Sequence, residues 1–295
     1  MKNKIFIITL LIFSAKSAFA QTLIILGTLQ DGGSPHMGCN KNCCSVSKPN
    51  DFVSSIGIYD DSMSIIIDAT PDFEQQARFL INKSENANLS IFLTHAHIGH
   101  YTGLMLLGRE VASTKNTPVY AMPRMKKFIE TNGPWSQLVS LKNIHLNELS
   151  NETPVKISSS IKITPVKVPH RDEYSETVGY EIYGENKSAL YIPDIDKWEI
   201  WNHKILDKIR KHNYIFIDGT FFGNGEIPRP MSEVPHPFIE ESVKLFSNLT
   251  YTQKQKIHFI HLNHSNPARN EDYPKRIKIE EMGFKFAKFG EEFNL

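Results

Sequence analysis

Short β-branched apolar runs recur along the chain, at Thr22–Gly27, Ser54–Tyr59, Met63–Asp68, Leu89–Leu93, Ser160–Val168, Thr177–Tyr183, Ala189–Ile192, Tyr214–Asp218 and Lys256–Leu262. Their length and composition predict strands, several of them buried on both faces. Between them lie stretches with helical spacing of apolar residues: Pro71–Asn82, Tyr101–Ala112, Pro123–Asn132, Lys197–His212 and His236–Asn248. Pro71 and Pro123 suit a first helical turn, where a missing N–H costs nothing. The early strands follow one another as a meander, and the later ones alternate with helices. Two sheets packed face to face, with helices over the outer faces, would bury both apolar sets. The expectation is an α/β (α+β) chain folded as a four-layer αββα sandwich. No repeat, low-complexity tract or linker interrupts it, and Gly223 to Pro237, rich in proline and glycine, reads as its longest loop.

Ahead of the first strand, Lys2 and Lys4 precede an apolar run from Ile5 to Phe13, which gives way to small residues and Ala18-Phe19-Ala20 before Gln21. A basic start, a short apolar middle and an A-x-A end predict a cleaved secretory signal over residues 1–20. The run is too short to span a bilayer, with a retained anchor the alternative. Residues 21–295 then form a single domain, exported and periplasmic in a two-membrane bacterium, with no membrane attachment after cleavage. The chain is 40% hydrophobic and 11% aromatic, enough for a substantial core. A net charge of +1 gives no electrostatic preference for nucleic acid or an anionic membrane. A small-molecule substrate is the partner to expect.

The densest chemistry lies in Leu93-Thr94-His95-Ala96-His97-Ile98-Gly99-His100, directly after a predicted strand. Alternation puts His95 and His97 on one face, and the following turn brings His100 back to them. Converging imidazoles at a strand end suit zinc or iron. Further candidates follow other strands: His170, Asp194 and His261. Loops at one end of a sheet stack would gather them. Alone, each has a plainer explanation, such as a surface histidine or a helix-capping aspartate.

This order of donors resembles the metallo-β-lactamase superfamily, and the resemblance runs over essentially the whole mature chain. Within it, the chain resembles the branch of pyrroloquinoline quinone biosynthesis protein B. The matching segments are Leu26-Gly27-Thr28 with Gln30-Asp31-Gly32-Gly33, Thr94 to Leu104, Pro193-Asp194-Ile195-Asp196, Asp218-Gly219-Thr220-Phe221, and His261-Leu262-Asn263 with Asn266-Pro267. It also resembles the cyclic phosphodiesterase of phosphonate breakdown in its cysteines and its paired C-terminal histidines. The resemblance implies the metallo-β-lactamase fold, with His95, His97 and His170 holding one metal. His100, Asp194 and His261 would hold a second, with Asp194 bridging. The superfamily usually has an aspartate just before the third histidine of the motif, where this chain has Gly99. The second position therefore loses one carboxylate ligand and is expected to be weaker or differently coordinated. Zn2+ is the expected ion, with Fe2+ or Mn2+ as alternatives in the active site.

Cys39, Cys43 and Cys44 lie within six residues, a poor disulfide framework. They supply three of the four ligands a structural zinc prefers. The phosphodiesterase likeness implies His264 as the fourth, His36 is a local rival, and a disulfide with one spare thiol is the other reading. The same likeness makes His236 a candidate proton donor, with a plain loop histidine as its alternative. Asp68 is expected to orient a ligand histidine, Asp72 to start a helix, and Asp196 and Asp218 to support the ligands. Three readings of function follow: a metal-dependent hydrolase of an ester, amide, lactone or phosphodiester, an iron-dependent oxidative step or other role in quinone-cofactor biosynthesis or transport, and a non-catalytic binding protein. Antibiotic hydrolysis ranks low, because the cysteines and Ile98-Gly99 point to another branch.

Overall fold

The computed structural model describes residues 21–45, 49–84, 88–201 and 205–295, so the expected leader lies outside the described residues. Among these residues the strands form two seven-stranded sheets. In the first, β1 (Thr22–Gly27), β2 (Ser55–Tyr59) and β3 (Ser64–Ile67) are an antiparallel meander, to which β4 (Leu89–Phe92), β5 (Thr117–Ala121) and β6 (Ile144–Glu148) add in parallel. The second has an antiparallel half, β7 (Val155–Lys156), β8 (Lys162–Lys167), β9 (Val178–Tyr183) and β10 (Ser188–Ile192), and a parallel half, β11 (Tyr214–Asp218), β12 (Ile257–Ile260) and β13 (Lys285–Phe286). The last strand, β14 (Glu292–Asn294), returns to flank β1 in the first sheet.

Strand alternation sorts the apolar residues into three layers. Leu23, Ile25, Ile65, Ile67, Tyr180, Tyr191 and Phe216 face the space between the sheets. Their neighbours Ile24, Leu26 and Ile66 face outward under α1 (Phe73–Ile81), and beyond α2 (Ile98–Tyr101) the same layer takes in α3 (Pro123–Thr131) and α4 (Trp135–Ser140). On the other sheet Leu190, Ile192, Ile215 and Ile217 lie under α5 (Ile205–Lys211) and α6 (Ile239–Leu245), and after the short α7 (Tyr251–Lys254) under α8 (Pro274–Glu281). Each fully buried Leu, Ile or Phe contributes roughly 1.5–3 kcal/mol, so the sandwich rests on these three apolar layers. This is the αββα architecture expected. No helix of the described residues is long and apolar enough to cross a membrane.

Several elements differ from expectation. Tyr101–Ala112 is not one α-helix: the chain makes one α turn, Ile98–Tyr101, then a 3-10 stretch, Thr102–Leu107. The Gly103 N–H is given to the Ala69 carbonyl at 2.9 Å instead of to the helix. A Cβ there would lie 2.2 Å from the Thr70 carbonyl oxygen, so only glycine allows this approach. The Lys197–His212 pattern resolves into a 3-10 turn at Trp198–Ile200 and the later α5, with 202–204 outside the described residues. The helix expected from His236 starts at Ile239, two residues after Pro237. The expected loop at 223–237 contains a 3-10 turn, Met231–Glu233.

Candidate metal centre

Every donor of the centre sits at or just beyond a strand end, on one edge of the sandwich. β4 leads to His95, His97 and His100, β8 to His170, β10 to Asp194 and Asp196, and β12 to His261, while β11 ends in Asp218. His95, His97, His170 and Asp194 present ligand atoms all within 4.8 Å of one another. A second such group is His100, His261, Asp194 and a residue the sequence reading passed over, Asp31. Asp194 belongs to both: its Oδ2 lies 3.3 Å from His95 Nε2 and 4.0 Å from His261 Nε2, and its Oδ1 lies 3.2 Å from His170 Nε2. This is the placement a bridging carboxylate needs.

Neighbouring groups fix which nitrogen of each ring points inward. A carboxylate can only accept, so a ring nitrogen bonded to one carries the proton. His100 Nδ1 donates to Asp68 Oδ2 at 2.7 Å, and His170 Nδ1 to Asp196 Oδ1 at 2.9 Å. The Thr94 hydroxyl donates to Asp68 and lies 3.0 Å from His95 Nδ1, while Thr220 Oγ1 lies 2.9 Å from His261 Nδ1. In each of these four rings Nε2 faces the centre, that of His100 meeting Asp31 Oδ1 at 3.0 Å, the arrangement that orients metal-binding histidines. His97 differs, with Nδ1 the nitrogen near Asp194, at 3.9 Å. Asp68 and His261 both adopt positive φ, 73° and 63°, an uncommon conformation that aims their side chains at the strand-end edge. Asp68 thus does what the sequence reading expected. Asp72 stands at the start of α1 as its N-cap residue, as expected, while its Oδ2 accepts from the Val53 N–H at 2.8 Å and not from the helix.

The donors fit a metal ion on two counts. Buried His95 Nε2, His97 Nδ1, His170 Nε2, His261 Nε2 and Asp194 Oδ1 have no hydrogen-bond partner, a cost that a shared cation would remove. The spacings are also right: bonds of roughly 2.0–2.1 Å in a tetrahedron put neighbouring ligand atoms about 3.3 Å apart. The closest pairs here, 3.0 to 3.4 Å, bracket that value. Burial opposes the charge on Asp194, but His170 and His236 outweigh it and hold the carboxyl well below its usual range. Burial likewise opposes ionisation of Asp31, and His100 and His261 overcome it. Both carboxylates are anions ready to bind a cation.

Asp31 answers the concern raised by Gly99. It follows β1 on the loop Gln30-Asp31-Gly32-Gly33, and its Oδ1 lies 3.0 Å from His100 Nε2 and 3.4 Å from His261 Nε2. The second group of donors therefore contains a carboxylate besides Asp194, contributed by a different part of the chain. The signal was present in the sequence: like the other donors, Asp31 sits shortly after a strand.

The cysteines gather with His264, all four ligand atoms lying within 4.8 Å of one another. The thiols are free, with Cys39 Sγ 3.9 Å from Cys43 Sγ and Cys43 Sγ 4.0 Å from Cys44 Sγ, too far for a disulfide bond. His36 is not the fourth member. Its ring stacks on that of His264 with centroids 4.1 Å apart, and its backbone N–H donates to Cys44 Sγ. His264 Nδ1 is bonded to Asn263 Oδ1, leaving Nε2 for the sulfurs.

His236 Nδ1 donates to Asp218 Oδ2 at 2.8 Å and lies 3.2 Å from Asp194 Oδ1. Burial disfavours its charged form, but Asp218 and Asp194 outweigh that and raise its pKa. The ring lines a cavity of about 430 Å³ together with Phe221, Asn263, Arg171 and Arg229.

A family profile described as "Beta-lactamase superfamily domain" matches residues 64–259, more than half of the chain. Coenzyme PQQ synthesis protein B of Acinetobacter baylyi is 25% identical, over 88% of this chain and 94% of the relative, and that of Cupriavidus taiwanensis is 23% identical over 93% and 99%. Among solved structures, Zn(2+)-bound PqqB from Methylobacterium extorquens superposes with a TM-score of 0.78 at 20% identity, covering 93% of this chain and all of that one. A diphosphatase of the PhnP family superposes with a TM-score of 0.63 at 23% identity, covering 93% and 97%. With its two-sheet sandwich and its strand-end cluster of histidines and aspartates, the chain belongs to the metallo-β-lactamase superfamily.

Proposed function

We propose that this protein is a metal-dependent hydrolase acting on an anionic phosphoester. The observation that carries the reading is the pairing of buried, partnerless imidazoles with an adjoining cavity that contains Arg171 and Arg229. His95, His97, His170 and Asp194 would hold the ion at the first position. A zinc in such a site brings the pKa of bound water to about 7 and polarises the bond to be cleaved. The chain's own residues do the rest. Asp194, anionic and central, accepts a hydrogen bond from the attacking oxygen. Asp218 fixes His236 through Nδ1, leaving Nε2 to give a proton to the leaving group. Arg171 and Arg229, on the cavity wall, suit phosphoryl oxygens, for which guanidinium is well shaped. The fold likeness to a diphosphatase agrees with this choice among ester, amide, lactone and phosphodiester.

The test uses bis(p-nitrophenyl) phosphate and p-nitrophenyl acetate on the zinc-loaded protein. Turnover of the phosphodiester is expected, with the R171A/R229A variant raising its KM by about 10-fold or more and leaving the neutral ester within about twofold. Turnover of the neutral ester alone would contradict the phosphoester reading. Turnover of neither would contradict a hydrolase.

A second reading rests on the curated relatives, all matched over most of their length: a part in coenzyme PQQ synthesis, with the same donors holding iron for an oxidative step. Iron after purification, with oxygen uptake on a tyrosine-derived substrate and no ester cleavage, would favour it over hydrolysis. Export is the remaining element of the proposal. Recovery of a chain beginning at Gln21 from the periplasm supports it, and a full-length cytoplasmic chain contradicts it.

A further inference from the structure

The residue next to the third motif histidine has no side chain, and a carboxylate from elsewhere fills the space. A Cβ built on Gly99 would lie 2.5 Å from Asp31 Oδ1 and 2.6 Å from Asp31 Cα. Real atoms do not approach so closely, so a side chain at 99 and the present path of the loop at 31 exclude each other. Gly99 is buried at the start of α2, and its φ is not in the left-handed region. Conformational freedom is not the reason for glycine here. Room for Asp31 is.

The loop that carries Asp31 is fixed by backbone bonds that need no ion. Leu29 bridges to Val53 on one side and Leu262 on the other. The Gln30 N–H donates to the Leu262 carbonyl at 2.9 Å, the Leu262 N–H to the Thr28 carbonyl at 2.7 Å, and the Gly33 N–H to the Gln30 carbonyl at 2.8 Å. Asp31 is thereby tied to the strand end that supplies His261. Its Oδ1 meets Nε2 of both His100 and His261, and His100 is already pledged through Nδ1 to Asp68.

We propose that Asp31 is the carboxylate ligand of a second divalent metal, held with His100, His261 and the shared Asp194, and that Gly99 exists to admit it. The carboxylate of the second position is thus supplied by the loop after β1 and not by the motif itself. This rests on the metal centre alone, so it can fail or succeed whichever reaction the protein performs.

The experiment is elemental analysis and calorimetric titration with Zn2+ of the metal-stripped protein, repeated with Co2+ to read the visible d–d absorption of the bound ion. D31N keeps the size of the side chain, turns one acceptor oxygen into an N–H donor and removes the charge. It is expected to bind one Zn2+ fewer than wild type, or to hold the last active-site ion at least about 100-fold more weakly. G99D alone is expected to lose the same ion, because the new side chain displaces the loop. Melting curves of the stripped proteins separate loss of an ion from loss of the fold. D31N with wild-type stoichiometry and affinity within threefold overturns the proposal, as does a wild type that binds one ion at the centre.

Discussion

His258, His261 and His264 follow one another at intervals of three along β12 and its end, yet they lie in three different environments. His261 belongs to the deep centre, where its Nδ1 is tied to Thr220 and its Nε2 is left without a partner. His264 joins the cysteines in a local, partly exposed cluster built mostly from six consecutive residues and closed by one from afar. His258 faces the core, against Phe216 and Phe293. The deep centre is assembled from six strand ends and depends on the whole sandwich. The cysteine cluster depends on one loop and one distant ring. A histidine's chemical role here is decided by what surrounds it, and the identity and spacing of the residue alone do not separate the three.

The contrast is sharpest at the deep centre. Replacing His97 or His170 with alanine removes a donor of the first position without touching the apolar layers. Turnover is expected to fall by about a thousandfold or more, with the melting temperature of the stripped protein little changed. A variant that keeps a tenth of wild-type activity would place the chemistry elsewhere. At the cysteine cluster the order should reverse. The C39S/C43S/C44S protein is expected to contain one zinc fewer and to melt several degrees lower in zinc buffer, at roughly 2–4 °C for each kcal/mol lost. Unchanged zinc content by elemental analysis would remove the structural-zinc reading of that cluster.

Between these lies Asp68→Asn, which touches no ligand atom of the centre but takes the charged acceptor from His100 Nδ1. Zinc affinity at the second position should weaken by about 10- to 100-fold, as measured by competition with a chelating dye. An unchanged affinity would mean that the ring is oriented by packing alone. His258 belongs to neither metal cluster, and its effect is on stability only. Burial, with Lys285 nearby, lowers its pKa to about 4. The unfolded chain takes up this proton near pH 6.5 and the folded protein does not, so stability is intact above that pH and is lost as pH falls toward 4. The loss reaches about 3 kcal/mol at and below pH 4. His258→Phe should flatten that part of the urea-denaturation profile. An unchanged slope between pH 6.5 and 4 would assign acid sensitivity to other groups.

The sequence made much of this legible, for a physical reason. Buried strands such as Ile215–Ile217 are apolar on both faces and announce themselves, and donors placed just beyond them inherit a recognisable position. Elements at the margins were harder to see. β6 reads Ile-His-Leu-Asn-Glu, with only two apolar residues pointing inward, as suits a sheet edge. α8 reads Pro-Lys-Arg-Ile-Lys-Ile-Glu-Glu and buries only Arg276 and Ile279, too little apolar periodicity to reveal a helix. Asp31 was missed because its partner signal is an absence: the missing side chain at 99 looked like a lost ligand, and the structure has Asp31 occupying that space. Thr94 and Thr220, which steer His95 and His261, gave no signal, since a threonine beside a strand end is ordinary.

The most direct test is anomalous diffraction at the zinc edge from crystals of the zinc-loaded protein. The account predicts an anomalous peak within about 2.0–2.2 Å of His95 Nε2, His97 Nδ1 and His170 Nε2. Zinc found only among Cys39, Cys43, Cys44 and His264, with those three imidazoles turned away from any common ion, would contradict it.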